Sequence, residues 1–133
     1  MDRRIVALVK DRSAPSALAD LVRAQDKPGG EARHLAPALA AGDELARRLV
    51  VEVADDLAFA LSHAVQLFHP QAVVMGGGLS LVGEPLRSAV ATALPRYVMD
   101  SFQPGPQVFL PGLGEDSVPV GALALAAAEV MQG

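Results

Sequence analysis

The sequence predicts an α/β fold with a pair of parallel strands inside it. Two short apolar runs, AVVM at 72–75 and VFLP at 108–111, are separated by a helical pattern, and each is followed by a glycine-containing loop. Strands that alternate with helices need crossover connections, which favour parallel pairing. A long amphipathic stretch precedes the first strand and an Ala-rich one follows the second. Two short strands make a poor sheet on their own, so the same pattern marks the chain as part of something larger.

The first forty residues carry the weakest periodicity. IVALV (5–9) reads as a short strand. SAPSALADLVRAQ (13–25) reads as a helix capped by Ser13, with Leu18, Leu21 and Val22 on one face. KPGGE (27–31) is a turn, and HLAPALAAGD (34–43) holds a short helix interrupted by Pro37. Asp43 then caps a helix running to about Phe68. Along it Leu45, Leu49, Val53, Leu57, Leu61 and Val65 recur every four residues, with Ala46, Val50, Ala54 and Ala58 beside them. At ~1.5 Å per residue this helix is about 39 Å long. His69-Pro70 ends it, because the residue before a proline is pushed out of the α region.

Ala72 to Met75 reads as a strand buried on both faces, and Gly76, Gly77 and Gly78 follow as a loop. The next helix begins at Gly83-Glu84-Pro85, where a proline near the first helical position loses no hydrogen bond. Its inner face is Leu86, Val90, Ala93, Leu94 and Tyr97. DSFQPGPQ (100–107) is a loop, VFLP the second strand, and GLGEDS (112–117) another loop. VPVGALALAAAEVM closes the chain as a helix of almost entirely small residues, expected to pack very closely on its neighbour.

The 133 residues are one domain's worth of chain, read as a single domain over 1–133 without internal repeats. Half the composition is apolar, mostly Ala, Leu and Val, with no Trp, one Tyr and four Phe. A net charge of −4 argues against a nucleic-acid or anionic-membrane surface, where affinity comes largely from Lys and Arg. With no cysteine, disulfides, Cys-ligated zinc and thiol chemistry are excluded. The apolar part of MDRRIVALVKDR is too short for a signal peptide, and no run approaches the ~18 residues of a membrane span. The chain therefore reads as soluble and cytoplasmic.

Three consecutive glycines need a reason, because glycine loses the most backbone entropy on folding. A dinucleotide fingerprint starting at Gly76 needs a third glycine where the chain has Leu81. A P-loop from Gly78 to Gly83 needs a lysine and then a serine or threonine where the chain has Glu84-Pro85. Both templates fail. The residues leave two readings: a tight strand-to-helix turn crossed by another segment, or a bare backbone beyond a strand's carboxyl end that takes a flat or anionic ligand.

Other candidates are weaker. His63 and His69 lie about 240° apart around a helix and do not converge, and His34 is remote in sequence, so none reads as a metal ligand. Asp55 and Asp56 are adjacent on a helix and point apart, which suits a solvated face better than an acid/base pair. Asp43 is more simply a cap than a ligand, and Glu115, Asp116 and Ser117 fit capping of the last helix. Ser80 has no neighbouring histidine to act as its base.

VVMGGGLSLVGEPL, the HP that ends the helix before it, the later LGEDSVPVGALALAAA and the earlier AGDELARRL together resemble the C-terminal portion of the ROK family. That family contains bacterial sugar kinases and sugar-responsive repressors, and the resemblance spans roughly residues 13–130. It implies a partial actin-like ATPase (ribonuclease H-like) lobe. It also implies that Gly76, Gly77 and Gly78 lie against ATP or ADP near the adenosine, with magnesium accompanying the nucleotide. The family's phosphate loop, catalytic aspartate and His/Cys zinc motif have no counterpart here, so no catalytic residue and no zinc are expected and the N-terminal lobe is absent. The implied role is the nucleotide-facing lobe of a sugar kinase that phosphorylates hexoses with ATP when complete and is inactive alone. A complementing N-terminal lobe or a second copy would be its partner, with no nucleic acid or membrane involved. The alternatives are the effector or dimerisation lobe of a ROK-type repressor, or a non-catalytic interaction module.

Overall fold

The computed structural model describes residues 1–11, 16–26, 30–112 and 117–132. Helix α1 (Asp2–Asp11) stands where a strand was expected over 5–9. Ile5 and Val9, one helical turn apart, are both buried. Asp2 in the first turn and Lys10 in the last complement the helix dipole. Helical spacing and end charges thus outweigh the β propensity of Ile and Val.

Helix α2 (Ala17–Arg23) is capped by Ser16, whose Oγ accepts a hydrogen bond from the Ala19 amide at 3.2 Å. The expected cap, Ser13, lies outside the described residues. A 3₁₀ turn, Glu31–His34, runs directly into α3 (Leu35–Ala40). Pro37 does not interrupt α3. It sits in the first turn, where the missing N–H takes little from the helix.

Helix α4 (Glu44–Phe68) is the spine, with Leu45, Ala46, Leu49, Val50, Val53, Ala54, Ala58, Ser62 and Val65 buried. Leu57 and Leu61, expected on this face, are only half-buried, because the covered stripe drifts to Ala58, Ser62 and Val65 near the C-terminus. Asp43 caps the helix as expected and does more. Its Oδ1 accepts from the Ala46 amide at 3.0 Å, while Oδ2 accepts from Ser16 Oγ at 2.7 Å and the Leu18 amide at 2.9 Å. One carboxylate therefore holds the starts of two helices together. At the other end His69 takes a left-handed conformation (φ 48°) before Pro70 and stacks on Phe102 with ring centroids 4.4 Å apart.

Strands β1 (Ala72–Val74) and β2 (Gln107–Phe109) pair in parallel, with Ala72 opposite Gln107, Val73 opposite Val108 and Val74 opposite Phe109. Helix α5 (Glu84–Ala93) makes the crossover and lays Leu86, Val90 and Ala93 against α4. Beyond it Tyr97 Oη donates to Asp55 Oδ2 and Arg96 Nη2 to Asp55 Oδ1, both at 2.6 Å, tying the end of α5 back to α4. The Asp55 hydrogen bond, added to desolvation and the carboxylate charge, pushes the Tyr97 hydroxyl above its ordinary pKa.

Two expectations about burial fail. β1 is not covered on both faces: Val74 is 61% exposed and its partner Phe109 44%. A two-stranded sheet with α5 on it leaves one face that no described residue covers. Nor does the middle of α6 (Ser117–Gln132) pack closely on a described neighbour. Residues 120–127 are all exposed, Leu123 at 71% and Leu125 at 67%. A helix apolar on every side needs partners on every side, and the described residues supply none. The described part is thus mostly helical with a small sheet. No helix among the described residues is long and apolar enough to cross a membrane.

Replacing Asp43 by alanine removes the cap of α4 together with the bonds from Ser16 Oγ and the Leu18 amide at the start of α2, and is expected to cost about 2 kcal/mol in urea denaturation at pH 7. Burial alone would raise the Asp43 pKa, but hydrogen bonds from Ser16, Leu18, Ala46 and Leu45 outweigh it and hold the carboxyl below its ordinary 3.8. A depressed folded-state pKa contributes stability that is present above the unfolded value and lost as pH falls through the folded one. The stability gap between wild type and Asp43→Ala should therefore narrow as pH drops below about 4.

Candidate functional site

The site is built at the carboxyl end of β1. Met75 closes the strand, its side chain buried and its amide donating to the Phe109 carbonyl at 2.9 Å. Gly76 continues extended (φ −102°, ψ −174°), and Gly77 turns left-handed (φ 70°) to open a 3₁₀ turn over Gly77–Val82. Ser80 Oγ donates to the Gly77 carbonyl at 2.7 Å, so the hydroxyl is spent on holding the turn. Val82 is buried and anchors the far end of the turn, and Gly83 (φ 75°) redirects the chain into α5. Glu84 and Arg87 pair on the first turn of α5, and Arg87 Nη1 donates to the Val108 carbonyl at 3.2 Å. The Arg87 hydrogen bond, opposed by slight desolvation and aided by the arginine's charge, holds Glu84 below the usual carboxylate range. The loop is therefore fixed at both ends, to the strand and to the helix.

What the glycines face decides between the two readings of them. A Cβ built on Gly76, Gly77 or Gly78 would meet no atom within 4 Å among the described residues. No described segment crosses the loop, so the crossed-turn explanation lacks its crossing segment. Only Gly77 needs glycine for its own conformation, because only there is φ left-handed. At Gly76 and Gly78 neither backbone angle nor crowding within the described chain demands a missing side chain. The three residues expected to act together are contiguous, exposed and open on one surface.

The other candidates disperse. His34 Nε2 lies 2.8 Å from Gln25 Oε1, and His63 Nδ1 lies 2.9 Å from the Phe59 carbonyl. His69 stacks on Phe102. Asp55 and Asp56 do diverge, but they are not simply solvated: Asp55 binds Arg96 and Tyr97, while Asp56 pairs with Arg4 at 2.6 Å. Glu115 and Asp116 lie outside the described residues, as does the side chain of Ser117. Asp43 is a cap.

Sequence reasoning missed one neighbour of the loop. An open groove of about 580 Å³ runs from Gly78, Leu79 and Leu81 to Arg3 on α1 and to Gly30 and Arg33 by the Glu31–His34 turn. Reading 5–9 as a strand hid it. The signal available was the i, i+4 pair Ile5/Val9 flanked by Asp2 and Lys10, which makes a helix and so places Arg3 on a defined face.

The model of the ROK family matches residues 12–129. The chain is 34% identical over 95 residues to a glucokinase of Thermotoga maritima, covering 71% of this chain and 30% of that protein. Among solved structures, a ROK family glucokinase from Streptomyces griseus in complex with glucose and AMPPNP superposes with a TM-score of 0.76 at 27% identity. That match covers 93% of this chain and 41% of the other. A ROK family transcriptional regulator, a homologue of the E. coli Mlc protein, shares the fold at a TM-score of 0.64 and 18% identity, over 81% of this chain and 26% of its own. The chain thus spans less than half the length of each of these relatives.

The glycine geometry predicts unequal tolerance to substitution. Gly76→Ala and Gly78→Ala should leave the thermal midpoint within a degree or two, since neither adds a clash nor forces a left-handed side chain. Gly77→Val should lower stability by about 1–2 kcal/mol, the order of the left-handed penalty for a side chain. Thermal melts of the three variants check this.

Proposed function

The chain belongs to the ROK family, and on that premise we propose that it is the nucleotide-facing C-terminal lobe of a sugar kinase of that family, with ATP or ADP lying on Gly76, Gly77 and Gly78. The observation that carries this is the open face of the glycine run: a rigidly anchored backbone stripped of side chains where no described segment approaches. Such a surface suits a flat ring at van der Waals distance and amides directed at an anion. It lies where α/β sheets present ligands, beyond a strand's carboxyl end. A structural neighbour at 27% identity was solved with AMPPNP and glucose, which supports a nucleotide as the class of ligand.

Phosphoryl transfer needs a positioned sugar hydroxyl, a base to take its proton and a metal on the phosphates. Around the glycine run the candidate groups are engaged: Ser80 with Gly77, Glu84 with Arg87, and Asp2, across the groove from Gly78, with the Gly30 and Ala32 amides. Hexose phosphorylation is therefore proposed for the completed protein, in which this chain contributes nucleotide binding and magnesium arrives with the nucleotide. The uncovered Val74/Phe109 face and the uncovered α6 are where the rest of the lobe, or a second copy, would dock. The shared fold of the repressor neighbour keeps a second role in view, an effector lobe that senses sugar.

Titration of the 133-residue chain with ADP and magnesium by calorimetry tests the proposal. Saturable binding is expected, abolished by Gly76→Val, which puts a β-branched side chain on an extended residue without straining it. A protein shown to be folded that yields no heat would sink the nucleotide-lobe role and leave the effector-lobe role in its place.

A further inference from the structure

Two apolar surfaces of the chain lie open, and they differ in kind. One is a sheet face. Val74 on β1 stands opposite Phe109 on β2, both exposed, with Ala72 and Gln107 exposed beside them. The other is a helix open on every side: from Val120 to Ala127 each residue of α6 is exposed. Helix–sheet layering normally removes both surfaces at once, because a helix that follows a strand lies back on the sheet. α5 does so after β1, burying Leu86, Val90 and Ala93 and touching β2. α6 follows β2, yet no described residue covers its 120–127 stretch and the Val74/Phe109 face stays bare.

The two surfaces suit one another. No charged residue occurs over 70–83, 101–114 or 117–128, so the strands, their flanking loops and α6 can meet without desolvating a charge. Val74 and Phe109 are large, and over 120–127 the helix alternates Leu123 and Leu125 with Gly121, Ala122, Ala124 and Ala126. Leu123 and Leu125 point about 200° apart around the helix. α6 therefore has two opposite apolar sides, and a single sheet covers only one. A second copy of the chain supplies both covers, because its α6 arrives together with its sheet.

We propose that two copies of this chain exchange α6. Each helix lies across the Val74/Phe109 face of the other copy, and the two helices cover each other's remaining side. The contact is isologous, so every surface is used twice. A helix of 16 residues is a cylinder of about 750 Å², from a rise of ~1.5 Å per residue and a width of ~10 Å. Two such helices, both covered, exceed the roughly 1,000 Å² that a stable interface needs. The exchange goes beyond the nucleotide surface and does not depend on it.

Sedimentation equilibrium of the 133-residue chain, with nucleotide absent throughout, tests the exchange. Wild type should be a dimer at micromolar concentration. Leu123→Lys with Leu125→Lys puts a charge on each side of α6, and Phe109→Lys puts one on the sheet. Each of the two variants should dimerise about a hundredfold more weakly. All three positions are exposed in the single copy, so circular dichroism should show both variants folded. Mixing the two variants should restore dimers in part, because the intact sheet of one takes the intact helix of the other. A monomeric wild type would overturn the exchange. A Phe109→Lys chain that stays dimeric would overturn it by assigning association to α6 alone. A Leu123/Leu125 variant that stays dimeric would overturn it by assigning association to another surface, and so would a mixture that stays monomeric. None of these failures touches the reading of Gly76, Gly77 and Gly78, which the ADP titration decides separately.

Discussion

Burial of one face of α4 is the constraint on which the rest of the chain depends. An isolated helix owes most of its stability in a protein to packing of its apolar stripe, and here that stripe meets a different partner along each part of its length. Near the N-terminus Leu45, Ala46 and Leu49 belong to the same core as Leu18, Leu35 and Ala38. Further along, Val50, Val53, Ala54 and Ala58 join Leu86, Val90, Ala93 and Leu94. The small residues Ala54 and Ala58 let α5 approach closely, and Asp55, one position off the stripe, reaches Tyr97 and Arg96. Because α4 ends in a left-handed His69 followed by proline, the chain leaves at a set angle into β1. The position of the glycine run is therefore a consequence of where α4 stops.

The same geometry leaves apolar surface uncovered among the described residues. α4 and α5 cover one another and one side of two strands, and nothing described covers the other side. Val74 and Phe109 form a cross-strand pair of large apolar residues left facing outward, and α6 carries Leu123 and Leu125 into solvent. Exposed apolar surface on this scale marks a contact surface. The chain spans less than half the length of these relatives.

At the candidate site two preformed walls face each other. Met75, Val82 and the Ser80–Gly77 hydrogen bond keep the glycine run rigid, while the Asp2 and Arg33 bonds keep the opposing wall in place. Neither wall depends on a ligand for its shape. Such a surface loses little conformational freedom when something binds, which is what makes a preformed groove a better binding site than a loop that must order first.

Local pattern by itself determined the helix from Asp43 to Phe68, the proline start of α5, the two strands and the glycine run between them. Each of these rests on spacing or on backbone restriction, which neighbours in sequence suffice to express. The AVVMGGGLS block and the closing GAL helix also carried the family resemblance. Over 2–11 the local signals compete, β propensity of Ile and Val against the i, i+4 spacing of Ile5 and Val9 with Asp2 and Lys10 at the ends, and the tertiary structure decided for the helix because Ile5 and Val9 share a core. It likewise decided that Asp43 serves two helices, because Ser16 and Leu18 are distant in sequence and meet it only in the fold. Burial of β1 and α6 was misjudged for the opposite reason: apolar composition records that a surface needs a partner, and it cannot record whether that partner lies within these residues. The openness of Gly76, Gly77 and Gly78, and the arginines opposite them, are properties of space around a backbone, which no local pattern encodes.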